Sequence, residues 1–167
     1  MDNSGELKSN QSPLTAGEQV DLLLRLYVEE KTYARAHENT RSVVTNIIAA
    51  AAALLVGFVT FDDAVDFNDI PMSVFLIIIG IFGAIISLKQ YERTRLHLYR
   101  AEYILKQIQS VSSMDLVAAK SYSYDSNEKR FGWLYRRKLN FLWTVLHLFI
   151  STIGAAILVQ IILSTAS

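Results

Sequence analysis

The chain has 167 residues, of which 51% are hydrophobic and 19% charged, and its mean hydropathy is +0.26. So apolar a composition is unusual for a water-soluble domain, and the apolar residues fall in three blocks, which is typical of membrane spans. Sixteen Lys and Arg residues balance sixteen Asp and Glu residues, so the net charge gives no reason to expect a direct nucleic-acid partner. The absence of cysteine excludes disulfides, thiolate catalysis and cysteine-ligated metal sites.

The N-terminal part of the chain divides into a polar tail and an amphipathic helix. Residues 1–14 have no apolar periodicity and no signal-peptide pattern, so we expect a mobile tail. Thr15 and Glu18 have the spacing of a capping box, and apolar residues then recur every three or four positions. This pattern predicts a helix over residues 15–41 that lies on the membrane or against another helix.

Three long stretches without a formal charge predict three transmembrane helices. They cover residues 42–61, 70–88 and 139–163, and a short tail follows at 164–167. About 20 residues at about 1.5 Å each span roughly the 30 Å of bilayer hydrocarbon. The predicted fold class is therefore an all-α integral membrane protein, in which an acidic link at 62–69 joins the first two spans.

The stretch between the second and third spans is polar and divides in two. Residues 89–109 contain no Gly or Pro and are predicted to continue the second span as one helix. Residues 110–138 are Ser-rich and are predicted to be a linker. Within that linker we expect one short helix over residues 114–120, capped by Ser113.

The basic residues lie in only two parts of the chain, which predicts its orientation. Five precede residue 42 and eleven lie within residues 89–138, while the 62–69 link carries four aspartates and no base. By the positive-inside rule the N-terminus and residues 89–138 are cytoplasmic, and the link and the C-terminus are outside. The first 41 residues have a net charge of −2 and residues 89–138 one of +6, which favours pairing of the two charged helices. Anionic lipid headgroups or an anionic ligand are the alternative partners of the surplus charge.

No residue pattern in the chain is typical of a catalytic or metal site. The histidines at positions 37, 97 and 147 lie at least 50 residues apart, and no phosphate-binding glycine loop or nucleophile motif is present. We therefore expect neither an enzyme nor a bound cofactor or metal. A cytoplasmic control or ligand face on the helix after the second span is one hypothesis, and an ion-paired, solvent-exposed surface is the alternative. The candidates for that face are Tyr91, Arg93, Arg95, His97 and Arg100.

Small residues recur at four-residue spacing in all three spans, a pattern that lets helix backbones approach closely in lipid. Such ladders either pack the spans of one chain together or join copies of the chain, and both uses stay open. The candidate packing and assembly residues are Ala49, Ala53 and Gly57, then Gly80, Gly83 and Ala84, then Ser151 and Ala155. Asn46 and His147 are candidate polar groups within the membrane. For His147 we expect a hydrogen bond to a neighbouring helix rather than a proton relay.

Residues 18–110 combine three features that a known group of membrane proteins also combines. They are an amphipathic helix, a two-span hairpin with an acidic link, and the charged helix YERTRLHLYRAEYILKQI at 91–108. This layout resembles the SLATT group of small bacterial membrane effectors, which occur in anti-phage operons beside nucleotide-second-messenger or reverse-transcriptase modules. The resemblance implies an inner-membrane protein that oligomerises and permeabilises the membrane once a cytosolic partner senses infection. The third span departs from the group's pattern, and no functional residue is carried over.

The leading hypothesis is thus a small oligomeric effector of the bacterial inner membrane that forms a pore or otherwise permeabilises the bilayer under cytoplasmic control. Its expected partners are the lipid bilayer, further copies of the chain, and a cytosolic regulatory protein or a nucleotide ligand. The alternative is a non-enzymatic anchor that recruits a soluble partner through residues 89–138. A small transporter subunit fits less well, because the spans carry no carboxylate in mid-membrane and no internal repeat.

Overall fold

The computed structural model describes residues 14–61, 65–112, 115–136 and 139–166. Four α-helices follow one another, with a 3-10 turn at Phe67–Asp69 before the second helix. They are α1 (Ala16–Val59), α2 (Ile70–Val111), α3 (Leu116–Arg136) and α4 (Leu139–Ala166). The described residues contain no β-strand, so the predicted all-α class is confirmed. Helices α1, α2 and α4 are each long and apolar enough to cross a membrane.

Helix α1 is unbroken, so the predicted amphipathic helix and the first span form one element. At its start the Thr15 side chain accepts a hydrogen bond from the Glu18 N–H at 3.3 Å, and the Glu18 carboxylate accepts one from the Thr15 N–H at 2.8 Å. The backbone and hydroxyl of Thr15 hold the pKa of Glu18 below its usual value. The helix has 44 residues and a length of about 66 Å, roughly twice the hydrocarbon thickness. Residues 16–41 are the charged half of α1, and residues 42–59 are its apolar half.

Helix α2 is also continuous, from the acidic link through the second span to Val111. Its first turn contains Pro71. Proline lacks a backbone N–H, but an N–H in the first turn of a helix has no intrahelical acceptor, so nothing is lost at this position. Before it, the Asp66 carboxylate accepts a hydrogen bond from the Asn68 N–H at 2.7 Å, and the Asp69 carboxylate accepts one from the Asp66 N–H at 3.1 Å. Two aspartates of the link thus cap the turn that starts α2. Residues 89–111 are the charged half of α2.

The predicted linker at 110–138 is wrong over most of its length, because α3 occupies Leu116–Arg136. The predicted cap Ser113 lies outside the described residues. The Asp115 carboxylate accepts a hydrogen bond from the N–H of residue 118 at 2.9 Å and so caps the helix start. Serine lowers helix propensity by at most about 0.7 kcal/mol per residue, so the capped Ser-rich stretch over residues 116–131, which contains no Gly or Pro, still forms a helix. The helix is kinked at Gly132, whose φ of 32° lies in the left-handed region that favours glycine.

Helix α2 lies between α1 and α4 and packs against both, while α1 and α4 touch each other only slightly. Contacts such as those of Glu30 with His97 and of Gly80 with Ser151 show that both pairs are antiparallel. A cluster of buried apolar side chains joins the three helices. Its members are Ile48, Ala52, Leu76 and Ile150. The arrangement is thus a three-helix bundle with an open cleft between α1 and α4.

Glycines make the α2–α4 contact possible. A Cβ at Gly80 would lie 2.6 Å from a backbone nitrogen of α4, and a Cβ at Gly83 would overlap the imidazole ring of His147. On α4, a Cβ at Gly154 would lie 2.7 Å from the Ser73 carbonyl oxygen. Because lipid supplies no hydrophobic force between helices, this close backbone approach stabilises the α2–α4 pair.

We expect Gly83→Ala to destabilise the protein by about 1–3 kcal/mol, the usual effect of overpacking, because the new methyl group overlaps the His147 ring. The measurement is the thermal unfolding temperature of the purified protein in detergent. Gly57→Ala is the matched control, since no atom lies within 4 Å of a Cβ at Gly57. Equal unfolding temperatures for the two variants would show that the α2–α4 contact is looser than described.

Candidate functional site

The first candidate site is the small-residue face of α1, formed by Ala49, Ala53 and Gly57. Ala53 and Gly57 are exposed, and a side chain added at Gly57 would meet no atom within 4 Å. This face borders an apolar groove of about 490 Å³ between α1 and α4, whose opposite wall includes Phe149 and Ile153. The groove exists because α1 and α4 both pack on α2 and not on each other. One small-residue ladder is therefore unfilled within the described structure.

Asn46 extends the small-residue face of α1 towards the charged half. It precedes Ala49, Ala53 and Gly57 by 3, 7 and 11 residues, spacings that keep all four on one side of a helix. Asn46 is exposed, and its amide makes no hydrogen bond within the described part of the chain. In hydrocarbon such an amide has no partner unless another helix provides one. This face therefore combines close-packing capacity with an unmet hydrogen-bonding group.

Of the other two predicted ladders, that of α2 is buried within the chain, whereas that of α4 is only partly used. Gly80, Gly83 and Ala84 of α2 are buried, and the two glycines contact α4 within the same chain. On α4, the Ser151 hydroxyl donates a long hydrogen bond to a carbonyl of α2 at 3.4 Å, whereas Ala155 is exposed. Gly154, which the sequence analysis did not select, is a second small residue of α4 that meets α2.

A buried polar level crosses the bundle where the charged halves begin. His147 is 1% exposed, and its Nε2 lies 3.1 Å from the Thr45 hydroxyl, so the predicted hydrogen bond to a neighbouring helix is present. One helical turn further, each of the three helices carries another polar side chain on the same face. They are Arg41 on α1, four residues from Thr45, Ser87 on α2, four residues from Gly83, and Trp143 on α4, four residues from His147.

Within the part of the chain that the structure describes, several atoms of this polar level are buried without a hydrogen-bond partner. They are Arg41 Nε, Ser87 Oγ, Trp143 Nε1 and His147 Nδ1. A buried polar group without a partner costs about 1–3 kcal/mol relative to a satisfied one. Water entering between the helices at this level would satisfy these groups. The polar level is therefore where the close packing of the three helices leaves hydrogen-bonding capacity unused.

The charged halves of α1 and α2 are joined by a histidine cluster. His97 Nδ1 donates to a Glu30 carboxylate oxygen at 2.6 Å, and the two side chains are only 14% and 19% exposed. The His37 ring stacks on the His97 ring with centroids 5.4 Å apart, and His37 Nδ1 donates to the Gln90 amide oxygen at 2.7 Å. The predicted pairing of the two charged helices is thus present, and it fixes their antiparallel register.

The five residues of the predicted control face do not form one site. His97 and Arg100 face α1, where Arg100 lies 3.9 Å from the Glu30 carboxylate. Arg95 lies two residues from His97, about 200° around the helix, and donates to the Tyr99 hydroxyl at 2.5 Å. The two remaining residues, Tyr91 and Arg93, are half-buried and exposed respectively.

Arg95 lines a pocket formed jointly by α1, α2 and α3. Four residues from the other two helices contribute to it, and none was predicted as a site residue. They are Tyr27 and Lys31 on α1, and Lys120 and Tyr124 on α3. Each pair has four-residue spacing, which is the one signal in the sequence that places its members on a common face.

Comparisons with family models, curated proteins and solved structures give no match for this chain. Within the described ranges, no group of three or more His, Asp or Glu side chains is arranged to hold a metal ion. The small-residue face, the polar level and the pocket at Arg95 are therefore the features on which a functional proposal depends.

We expect the Glu30–His97 contact to couple the two charged halves by about 1 kcal/mol, since both side chains are mostly buried. The measurement is a double-mutant cycle of Glu30→Gln and His97→Gln, read as hydrogen-exchange protection of the α1 and α2 backbones. The control cycle uses Lys89 and Glu92, an exposed pair within α2 for which we expect much weaker coupling, because solvent screens it. Equal coupling in both cycles would contradict a special role for the histidine cluster.

Proposed function

We propose that this protein is a small membrane effector that self-assembles through α1 and permeabilises the bilayer under the control of its charged helices. The observation that carries the proposal is the unfilled face of Asn46, Ala49, Ala53 and Gly57 beside the α1–α4 groove. The resemblance of residues 18–110 to small bacterial anti-phage effectors points to the same function and to the inner membrane.

A second copy of the chain is the occupant that best fits this face. An acyl chain can fill an apolar groove, but it cannot bond to the Asn46 amide, whereas a helix of another copy supplies polar groups. Small residues let two helix backbones come close enough for van der Waals contact along the span. Self-assembly would therefore satisfy Asn46 and bury Ala53 and Gly57 together.

Two structural features support permeabilisation rather than static assembly. The unpartnered groups around Arg41, Ser87 and His147 favour entry of water between the helices. Helices α1 and α2 pass without a break from their charged halves into their apolar halves. A displacement of the charged halves is therefore transmitted to the polar level, which is how cytoplasmic control would reach the membrane.

The proposed orientation has the N-terminus and α3 in the cytoplasm and the α1–α2 turn outside. Because the chain has no native cysteine, single cysteines report accessibility directly. We expect Phe67→Cys, at a side chain that is 72% exposed, to react with an impermeant maleimide in intact cells. Ser126→Cys on α3 should react only after lysis. Labelling of Ser126→Cys from outside would overturn the orientation.

We expect Ala53→Leu and Gly57→Leu to insert normally but to reduce both oligomer mass in detergent and dye-reported loss of membrane potential. The larger side chain holds two helices apart, and the hydropathy of the span is not lowered. Matched controls are Ala53→Ser and Gly57→Ala, which keep the face small and should retain assembly.

A further control, Leu54→Ala, changes a side chain that is 65% exposed and does not line the groove. It should leave both oligomer mass and leakage unchanged. If the two leucine variants keep the wild-type mass and leakage, α1 is not the assembly surface.

The alternative function is a membrane anchor for a soluble partner, and exposed tyrosines on the charged helices favour it. Tyr99, Tyr103 and Tyr122 are 59%, 65% and 76% exposed, and tyrosine is enriched where proteins contact each other. Capture of a partner on induction without any leakage would support the anchor, whereas leakage with the chain alone would support the effector.

A further inference from the structure

The pocket at Arg95 has a volume of about 110 Å³ and carries an excess of positive charge. Lys31, Arg95 and Lys120 line it, together with the single carboxylate of Glu102. Lys120 lies 3.8 Å from that carboxylate. Within the described ranges, no carboxylate is within ion-pair distance of Lys31 or Arg95. Two of the three cations therefore face the pocket without a counter-charge in contact.

Three tyrosines also line the pocket, and two of them contact its cations. The Arg95 guanidinium lies 4.6 Å from the centroid of the Tyr99 ring and donates to its hydroxyl. The Lys120 ammonium lies 5.7 Å from the centroid of the Tyr124 ring. The hydroxyl of Tyr99 accepts from Arg95 and keeps its own hydrogen for another acceptor. The third tyrosine, Tyr27, lines the pocket from α1, so the lining is rich in hydrogen-bond donors.

A donor-rich, cationic pocket of this size matches one small anionic group with several oxygens. A phosphate monoester carries about 1.5 to 2 negative charges near neutral pH and three terminal oxygens, whereas a carboxylate carries one charge and two oxygens. We propose that this pocket binds the phosphate group of a small soluble phosphate ester, with Lys31, Arg95 and Lys120 contacting its oxygens.

The distance of the pocket from the membrane favours a soluble ester over a lipid headgroup. Arg95 is seven residues beyond Leu88, the last residue of the uncharged run, which is about 10 Å along a continuous helix. Glu102, at the far side of the pocket, is about 21 Å beyond that residue. The headgroup layer is only about 5–8 Å thick on each side of the hydrocarbon. The pocket therefore lies past the level of lipid phosphates.

Occupation of the pocket would attach α3 to the rest of the charged helices. In the part of the chain that the structure describes, Lys120 and Glu102 form the ion pair between α3 and α2. A bound phosphate would add contacts from Lys31 on α1 and Arg95 on α2. Since α3 leads through Gly132 towards α4, the ligand would then influence the third apolar helix. This last step rests on the proposed function, whereas the binding itself does not.

The test uses the full-length protein in phosphatidylcholine nanodiscs, titrated calorimetrically with phenyl phosphate, inorganic phosphate and acetate at equal ionic strength. We expect saturable binding of both phosphates and none of acetate. Lys31→Gln and Arg95→Gln should each weaken binding about tenfold, the loss of one charge-assisted contact, and Lys31→Arg should restore it. Lys106→Gln removes the same charge from an exposed position of α2 outside the pocket and should leave binding unchanged.

Absence of saturable phosphate binding, or equal weakening by Lys106→Gln, would overturn the proposal. A second arm replaces part of the phosphatidylcholine with phosphatidic acid. Retention of phosphatidic acid that depends on Lys31 and Arg95, without binding of the soluble probes, would overturn the soluble ligand in favour of a lipid headgroup. Because binding is measured without assembly or leakage, its failure is distinct from failure of the proposed effector function.

Discussion

The imidazole ring of His147 occupies the space left by the missing side chain of Gly83 and bonds to Thr45, and this contact joins all three long helices at one point. Its geometry sets how closely α4 approaches α2 and where α1 meets both. From there Gly80 and Gly154 extend the close α2–α4 approach along the span. In lipid, where apolar surface alone does not drive helices together, such steric fit decides which helix faces are used within the chain.

The small residues of α2 and α4 pack against each other within the chain, whereas the small-residue face of α1 borders a groove. Because α4 is held against α2, its groove-facing side chains, such as Phe149, stand apart from Ala53 and Gly57. The face of α1 that could pack most closely is thus the one without a neighbour, and Asn46 adds a polar group that lipid cannot satisfy. This open face of α1 is the physical reason for which we propose assembly.

The spans were predictable because length and lack of charge alone define them, and the start of α1 was predictable because the Thr15–Glu18 capping box is a local signal. The identity of contacting faces was not predictable. Four-residue spacing from Ser151 selects Ala155, whereas Gly154 is three residues from Ser151, and only the packed helices show that Gly154 meets α2. Arg95 and His97 were assigned to one face, although two residues on a helix point in nearly opposite directions.

The predicted short helix at 114–120 overlaps only the start of α3, and the rest of α3 was missed because a high serine content is typical of linkers. Serine is only mildly unfavourable in helices, so composition does not decide the matter when a cap such as Asp115 is present. Without α3 the sequence could not bring Lys120 and Tyr124 to Arg95, and the pocket could not be predicted. A site built from three separate helices depends on tertiary packing, which local sequence patterns do not predict.

The energetics of switching limit how control can reach the membrane. Shifting a two-state equilibrium from 1:99 to 99:1 requires about 5.5 kcal/mol of differential interaction. The Glu30–His97 pair, whose side chains are mostly buried, contributes only about 1 kcal/mol, so loss of that pair alone would not produce the proposed opening. The proposed control instead requires a ligand or partner that contacts the charged halves at several points. The unbroken α1 and α2 would then carry its effect from the charged halves to the apolar halves.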